Sequence, residues 1–425
     1  MDSLKIFALK GDLVFSESSH KLVTIPGGYV VCKDGKVEGT YHELPDCFHG
    51  IQVFDYGHKL ILPGLVDLHT HAPQYAFVGL GMDLELIDWL NENTFPEEAK
   101  YIDLDYAKLA YDIFTSDLRK SATTRACIFG TVHKEGTLLL MDLLEKTGLK
   151  SFVGKVNMDR NCPDTIREDK DKSIKDTSWW IEKTIGAYKN TKPILTPRFI
   201  PSCSDQLLED LSVLQKKYEL PLQSHLSENL SEIDWVRDLC KDTRHYGEAY
   251  NRFDLFGGNV PTIMAHCVHS SDEEVRLMKE KHVFIAHCPD SNTNLSSGIA
   301  PVRKYLDLNI PMGLGTDMAA GHTNSIFKTM ISAIQVSKLR WRLVDDSLKP
   351  LNITEAFYLA TLGGGQFFGK CGSFMEGYEL DAIVIEDETI RHSQPLSLID
   401  RFERAIYLSQ DQHIIHKYVA GEQIF

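Results

Sequence analysis

The sequence has no Cys-x-x-Cys pair, although it contains nine cysteines between Cys32 and Cys371. Because these thiols are scattered and odd in number, they do not resemble the paired framework of a small secreted protein. The sequence also has no uncharged apolar run long enough to cross a bilayer. Residues 1–6 lack the basic-then-apolar pattern of a signal peptide. These absences predict a cytoplasmic protein with reduced cysteines.

Positive charge is scarce, because Lys and Arg number 45 against 60 Asp and Glu, which gives a formal net charge of −15. Such a balance argues against nucleic acid or an anionic membrane as a partner. It places no limit on a small neutral substrate, because the field inside a pocket differs from the global charge. With 425 residues, the chain can hold one large barrel and an accessory domain, or two to three ordinary domains.

The middle of the chain alternates eight short β-rich runs with amphipathic or charged stretches. One such stretch, residues 204–218, carries a leucine stripe at helical spacing. Eight β–α units predict an α/β protein with a (β/α)8 TIM-type barrel, whose active site lies at the C-terminal ends of the strands. The predicted runs are residues 60–71, 122–130, 151–158, 194–203, 221–228, 262–269, 283–290 and 312–317.

Both ends of the chain are rich in short strand patterns and Gly-containing turns. The simplest arrangement joins the two ends in one small β-sandwich domain beside the barrel. The predicted boundaries are residues 1–60 for the N-terminal part of the β domain, 61–370 for the catalytic barrel and 371–425 for the C-terminal part.

His69 and His71 end the first apolar run of the predicted barrel. Residues two apart in a strand point to the same face, so both imidazoles are aimed at one place. Two converging neutral imidazoles suit a metal such as Zn²⁺ or Fe²⁺. Two surface histidines on a strand edge are the alternative, which a lone His-x-His pair would favour.

Polar side chains also follow most of the other predicted strands. His69, His71, His225 and Asp317 together offer three nitrogens and one carboxylate oxygen, which leaves an open metal position typical of catalytic sites. Taken singly, each has an ordinary alternative: a core histidine for His225, and a turn residue or helix N-cap for Asp317. The further candidates at strand ends are Arg198, Glu228, His266 and His287, and His287 is interpreted as structural.

These motifs resemble the amidohydrolase superfamily, and the narrower ones are similar to the guanine deaminases. The resemblance extends from about residue 25 to the end of the chain. Asp290 and Cys267 depart from the pattern, which has Asn and Gly there, and Asp290 is expected to add negative charge near the rim. The general motifs are runs 63–71, 224–228, 265–267 and 315–317, and the narrower ones are runs 72–75, 93–97, 197–199 and 286–292.

The resemblance implies one divalent metal, with zinc as the first choice and iron as the second. The implied metal ligands are His69, His71, His225 and Asp317. The implied substrate contacts are Gln74, Arg198, Phe199 and His225, covered by a loop at residues 90–95. A planar guanidinium can donate to acceptors on a purine edge. The resemblance also implies a homodimer.

The expected reaction is hydrolysis of guanine to xanthine and ammonia, with a metal-activated hydroxide attacking C2. Asp317 would accept the proton of the water, Glu228 would protonate N3 and relay a proton to the amine, and His266 would bind the attacking oxygen. Because Glu228 must carry a proton, its carboxyl is expected to be shielded from solvent. The alternatives are a related enzyme acting on a pterin, triazine, cytosine or adenosine-like ring, and a non-catalytic scaffold.

Two further absences narrow the chemistry. The sequence has no Pro-Cys-x-x-Cys motif, which excludes the nucleobase deaminases that bind zinc with two thiolates. The run 196–201, at the predicted fourth strand, contains no lysine. Binuclear amidohydrolases carry a carboxylated lysine there, so the sequence favours a single metal.

Overall fold

A computed structural model describes residues 6–425 as a mixed α/β protein. The segment 1–5, which belongs to the predicted N-terminal β domain and contains most of the stretch tested for a signal peptide, lies outside the described residues. Within residues 6–425, no helix combines the length and apolarity required of a membrane span.

The two ends of the chain meet in one seven-stranded sheet, in the order β17-β16-β15-β4-β1-β2-β3. β4 connects the ends, because it pairs in parallel with β1 and antiparallel with β15. The predicted joining of the two ends is therefore observed, whereas the sandwich remains a prediction. The strands are β1 (Ile6–Ser18), β2 (Lys21–Lys33), β3 (Lys36–Tyr41), β4 (Gln52–Pro63), β15 (Ala382–Ile385), β16 (Ile414–Val419) and β17 (Glu422–Gln423).

The central strands pair in parallel in three groups, β5-β6-β7-β9, β10-β8 and β11-β12-β13-β14. A parallel bridge between Leu195 and Leu222 connects the second and third of these regions. The strands are β5 (Leu65–His71), β6 (Thr123–Phe129), β7 (Lys150–Gly154), β8 (Val156–Asn157), β9 (Thr191–Pro193), β10 (Thr196–Pro197), β11 (Leu222–Leu226), β12 (Thr262–His266), β13 (Phe284–His287) and β14 (Met312–Leu314).

Helices separate most of the parallel strands, and several begin at a side-chain cap. Ser204 caps α6, because its hydroxyl accepts a hydrogen bond from the backbone N–H of Leu207 at 3.2 Å. The helices are α1 (Leu86–Trp89), α2 (Phe95–Ala99), α3 (Leu104–Lys120), α4 (Lys134–Thr147), α5 (Lys170–Thr184), α6 (Asp205–Tyr218), α7 (Leu230–Leu239), α8 (Tyr246–Asn251), α9 (Asp272–Lys281), α10 (Pro289–Asn294), α11 (Val302–Asp307), α12 (Ile326–Leu343), α13 (Ile353–Tyr358) and α14 (Leu398–Leu408).

Three of the predicted strand runs are divided in the structure, and one of them is the run 151–158, which forms β7 and β8. The run 60–71 divides at Gly64 between the seven-stranded sheet and the parallel strands; a Cβ on Gly64 would lie 2.2 Å from the Thr124 side chain. The fourth run, 194–203, is interrupted, because β9 ends just before it at Pro193, and the run itself contains only the short strand β10 and a 3₁₀ turn over Ile200–Ser202. Pro193, Pro197 and Pro201 explain this break, because proline has no N–H to donate to a sheet.

A buried ion pair fastens the seven-stranded sheet to the parallel strands. Arg125, on β6, donates to the two carboxylate oxygens of Asp381 at 2.5 and 3.1 Å, next to the start of β15. Arg125 also donates to Glu379 at 2.6 Å. The side chains of Arg125 and Asp381 are almost completely buried, so each charge depends on the other for compensation.

We expect Arg125→Met to lower the free energy of unfolding by about 3–5 kcal/mol, because Asp381 would be left buried without its partner. The urea midpoint, followed by circular dichroism, measures this loss. The matched control is Lys108→Met, which removes the exposed Lys108–Asp112 pair and should change stability by less than about 1 kcal/mol. Equal midpoints for the two variants would show that the buried pair contributes no more than a surface one.

Candidate active site

Three side chains from two strand ends meet around one point. His69 and His71 end β5, and their Nε2 atoms lie 3.2 Å apart. Asp317 follows β14, and its Oδ1 lies 3.1 Å from Nε2 of His69 and 3.3 Å from Nε2 of His71. The alternation of β5 therefore directs both imidazoles to the same carboxylate, as the His-x-His spacing predicts.

His225, on β11, adds a third imidazole to this group. Its Nε2 lies 3.3 Å from Nε2 of His71, and its Nδ1 donates to the backbone carbonyl of Arg198 at 2.6 Å. In the neutral ring, a donating Nδ1–H leaves the Nε2 lone pair free to face the cluster. The four predicted ligand side chains are thus brought together from β5, β11 and the end of β14.

The protonation of this group fits a bound cation. Burial lowers the pKa of His71 to about 4 and that of His225 well below its usual value. Burial alone would raise the pKa of Asp317, but the charge of His69 and hydrogen bonds from His69 and His71 hold it well below its usual range. The neutral imidazole nitrogens face one another around a carboxylate, so their lone pairs converge. A divalent cation satisfies such an arrangement.

A buried aspartate, Asp67, fixes the backbone next to Asp317 by binding Thr316. Asp67 accepts hydrogen bonds from the backbone N–H and the hydroxyl of Thr316, at 3.1 and 2.6 Å. The backbone N–H of Asp317 itself donates to the carbonyl of His69 at 2.8 Å. Burial raises the pKa of Asp67 to about 6. Asp67 was not predicted as a site residue, although it lies in the same strand as the two histidines.

His266 and Glu228 lie on the other side of Asp317. Nε2 of His266 is 3.4 Å from Oε2 of Glu228 and 3.7 Å from Oδ2 of Asp317. Nδ1 of His266 is 2.9 Å from Oδ1 of Asn292, so Nδ1 carries the proton and donates. His266 therefore presents an unprotonated Nε2 to the two carboxyl groups when its ring is neutral.

Glu228 is shielded from solvent, as its expected role requires. Its side chain is 4% exposed, and its Oε1 accepts from the hydroxyl of Ser297 at 3.2 Å. Burial, followed by the negative charge of Asp317, raises the pKa of Glu228 well above its usual value. A raised pKa favours the protonated carboxyl group, which is the form that a general acid needs.

The sulfur of Cys288 also lies close to His266 and Asp317. Its Sγ, one atom of His266 and one oxygen of Asp317 all lie within 4.8 Å of one another. Burial raises the pKa of the Cys288 thiol well above its usual value, and the thiol donates to the carbonyl of Ala286 at 3.4 Å. A neutral thiol is a poor metal ligand, so the nitrogen and carboxylate donors remain the better set.

The backbone is left-handed at several of the strand ends that build the site. Ser227, His266, Cys267 and Asp317 have φ values of 47°, 72°, 50° and 49°. Non-glycine residues reach this region at a cost of about 1–3 kcal/mol, and such strain clusters at functional sites. The positive φ of Cys267 is a conformation that glycine would adopt without this cost.

A cavity of about 400 Å³, including its open mouth, borders these groups. Its polar lining residues are His71, Gln74, Arg198, His225, Glu228, Glu232, His266 and Asp317. Its other walls are apolar, which suits a flat ring with a few polar edge atoms. The apolar lining residues are Leu86, Trp89, Leu90, Phe199, Leu295 and Ala320.

Gln74 and Arg198, the expected substrate contacts, share one buried partner. Glu98 accepts from Nη1 of Arg198 at 2.6 Å and from Nε2 of Gln74 at 3.0 Å. Glu98 was not predicted, although it directly follows the motif of residues 93–97. Phe199, the third expected contact, lies in the cavity wall.

Glu232 is a second carboxyl group in the cavity that was not predicted. Its Oε2 accepts from the backbone N–H of Glu228 at 3.1 Å, and its Oε1 accepts from the hydroxyl of Tyr246 at 2.8 Å. Burial, followed by the charge of Glu228, raises the pKa of Glu232 to about 7. The available signal was the capping spacing at the start of α7, where Glu232 lies three residues after the N-cap Asn229, although Glu232 accepts here from the N–H of Glu228.

Two expectations about the surroundings of the site are wrong. The segment expected to be a loop over residues 90–95 is helical, with α1, a π-helical turn over Leu90–Thr94 and then α2. Leu90 of this segment lines the cavity, and a covering role for the segment stays a prediction. Asp290 does not line the cavity, since it is buried and accepts from the hydroxyl of Ser332 at 2.5 Å.

His287, interpreted from the sequence as structural, is buried at the end of β13. Burial lowers its pKa to about 3. Neither of its ring nitrogens makes a hydrogen bond within the part of the chain that the structure describes. It lies outside the groups of His, Cys, Asp and Glu donors that could hold one ion.

Comparisons with known proteins identify the family to which the chain is similar. Residues 60–424 match the amidohydrolase family. A guanine deaminase of Dictyostelium discoideum is 36% identical over 99% of this chain and 98% of its own length. A guanine deaminase of Escherichia coli K12 is 35% identical over 96% of this chain and 93% of its own length.

Among solved structures, a guanine deaminase from C. acetobutylicum with guanine bound in the active site superimposes with a TM-score of 0.96. It is 49% identical to this chain, covering 99% of this chain and 100% of that one. The match to the family and the near-complete overlap with these relatives agree with the arrangement of the site. The chain belongs to the amidohydrolase family.

Proposed function

We propose that this protein hydrolyses guanine to xanthine and ammonia. The observation that carries the proposal is the placement of a buried carboxyl group, Glu228, beside a buried cluster of imidazoles and Asp317 in one cavity. The relatives that share the chain over nearly its full length are guanine deaminases, and one of them holds guanine in its active site.

The residues suited to hold one divalent metal ion are His69, His71, His225 and Asp317. Three nitrogens and one oxygen accommodate zinc, our first choice, and also ferrous iron. When bound, such an ion lowers the pKa of a water molecule towards ~7 and so supplies a nucleophile at neutral pH.

The side chains around the cluster divide the proton transfers. Asp317 accepts the proton that the attacking water loses. His266 receives a hydrogen bond from the attacking oxygen at Nε2, the atom left free by its contact with Asn292. As the oxygen adds to C2, Glu228 gives its proton to N3 of the ring.

The amine at C2 must also gain a proton before it leaves as ammonia. Glu228 is the group placed to carry it, because it lies 3.4 Å from His266 and 4% of its side chain is exposed. The proton held by Asp317 reaches the amine through Glu228, and the C–N bond breaks as ammonia leaves. The hydroxyl proton on C2 then passes to Glu228 as the C2 carbonyl forms, so that one water is consumed, Glu228 is protonated again and Asp317 is again ionised. The products are xanthine and ammonia.

Arg198 and Gln74 are the groups proposed to bind the edge of the purine. A guanidinium donates to acceptors such as O6 and N7, and an amide supplies both a donor and an acceptor. The ring itself would lie among apolar side chains, with Phe199 on one wall. His225 is proposed to contact the substrate as well as the metal, since it lines the same cavity.

The proposed architecture is a (β/α)8 barrel over residues 61–370, with a small β-sandwich formed from residues 1–60 and 371–425. The parallel groups of strands, the Leu195–Leu222 bridge and the bond from Asp317 to His69 support closure of the barrel. We propose a homodimer and a cytoplasmic location, and the nine unpaired cysteines fit a reducing compartment.

Ultraviolet monitoring of guanine with the purified protein tests the function directly. We expect the spectrum to change to that of xanthine, with release of one ammonia, and a chelator followed by dialysis to stop the change. Pterin, triazine, cytosine and adenosine substrates form the comparison panel. Turnover of one of these rings in preference to guanine would overturn the substrate assignment.

A further inference from the structure

Glu98 contacts both Gln74 and Arg198, the two polar lining residues of the cavity that lie away from the proposed metal ligands. The residue lies on α2 and is 1% exposed. One carboxylate oxygen accepts from Arg198 at 2.6 Å, and the other accepts from Gln74 at 3.0 Å. One buried negative charge thus binds both of the side chains proposed to contact the purine edge.

These contacts fix the orientation of the Gln74 amide. Its nitrogen donates to Glu98, and its oxygen accepts from the backbone N–H of Ala319 at 3.2 Å. A flipped amide would face oxygen against the carboxylate and nitrogen against the N–H, so both bonds would be lost. Gln74 therefore has one hydrogen and one lone pair left, in fixed positions, for a ligand.

The same helical segment also fixes the plane of Arg198. The guanidinium lies 5.2 Å from the centre of the Phe95 ring, and Phe95 begins α2. Cation–π contact on one face and a salt bridge at one edge leave little freedom of rotation. Within residues 6–425 the other guanidinium donors make no hydrogen bond to protein, so they are available to a ligand.

The charges of Glu98 and Arg198 cancel where they meet. Both side chains are buried, so each would otherwise exert a strong field on the cavity. An unpaired Arg198 would favour an anionic ring, whereas a paired one favours a neutral ring with hydrogen-bond acceptors.

We propose that Glu98 is a positioning and specificity-determining residue, which orients Gln74 and Arg198 and makes their side of the cavity select neutral purines over purine anions. The inference rests on the proposed function, because it takes the ligand to be a purine bound at these two residues.

The test is Glu98→Gln, which keeps the shape and removes the charge. Inhibition constants are measured for urate, a purine anion at neutral pH, and for hypoxanthine, a neutral purine. We expect the ratio of the urate constant to the hypoxanthine constant to fall at least about tenfold, because repulsion of the anion by Glu98 is lost. The KM for guanine should rise more than kcat falls, since the lost contacts act on the bound ring before the chemical step.

The matched control is Glu97→Gln, on the same helix. Glu97 is also mostly buried, but it contacts Lys100 and Tyr106 rather than Gln74 or Arg198. Its ratio of inhibition constants should equal that of the wild type. Glu98→Asp, which retains the charge on a shorter side chain, should keep the preference for the neutral purine and show only the raised KM.

The outcomes separate this inference from the proposed function. An active wild type whose ratio is unchanged by Glu98→Gln would overturn the role of Glu98 alone. If the wild-type protein does not turn over guanine, the proposed function is wrong. Calorimetric measurement of urate and hypoxanthine binding would then test the charge effect of Glu98 by itself. If Glu98→Gln does not fold, the Glu98→Asp variant is used instead. If that variant no longer prefers the neutral purine to the purine anion, the inference is overturned.

Discussion

Glu228→Gln is expected to retain its metal and lose nearly all turnover. Glutamine has a similar shape but cannot give a proton to N3, and general acid–base catalysis contributes about 10²–10⁴-fold. Since the same carboxyl is proposed to serve both N3 and the departing amine, we expect kcat to fall by at least the upper part of that range. Steady-state kinetics with guanine measure the loss.

Metal analysis of the same variant after extensive dialysis distinguishes two roles for Glu228. Retention of about one equivalent together with loss of kcat supports the acid–base role. Loss of the metal would instead make Glu228 a ligand and require a different donor set. Glu232→Gln is the matched comparison, because Glu232 lines the same cavity but is bonded to Tyr246 and to the backbone of Glu228. It should lose less activity than Glu228→Gln.

His69→Ala is expected to lose both the metal and the activity. His69 is fully buried and contacts His71 and Asp317 within 3.2 Å, so its removal opens the centre of the proposed donor set. Without a bound cation, the attacking water would have its ordinary pKa, and we expect a fall of about 10³-fold or more in kcat/KM. Elemental analysis and guanine kinetics measure the two effects.

His287→Gln is the matched control, because His287 is also a buried histidine at the end of a parallel strand. It lies outside the groups of side chains that could hold one ion, so metal content should remain at about one equivalent. An unchanged metal content in His69→Ala would contradict the proposed ligand set. Circular dichroism of both variants establishes that they are folded.

The local parts of the site could be predicted from the sequence. The two-residue spacing of His69 and His71 predicts their shared direction, because side chains alternate along a strand. The polar residues after the apolar runs predict strand ends that carry chemistry. The structure brings His225 and Asp317 to the same point, and the comparisons confirm the family.

The parts that were missed depend on contacts between distant segments. Glu98 and Glu232 look like ordinary helical glutamates in the sequence. Only the folded chain places Glu98 against Arg198, which lines the cavity, and Glu232 in the cavity wall beside Tyr246. Pro197 and Pro201 interrupt the predicted strand over residues 194–203, because an apolar run does not reveal which N–H groups the sheet needs.

The sequence by itself determined the kinds of element, the family and the donor types placed at the strand ends. These follow from local spacing, since backbone geometry fixes the direction in which neighbouring side chains point. Only the tertiary structure decided which carboxyl groups are buried, which are paired and in which direction their pKa values are shifted. The physical reason is that desolvation and charge depend on every segment packed around a group, and those segments are distant along the chain.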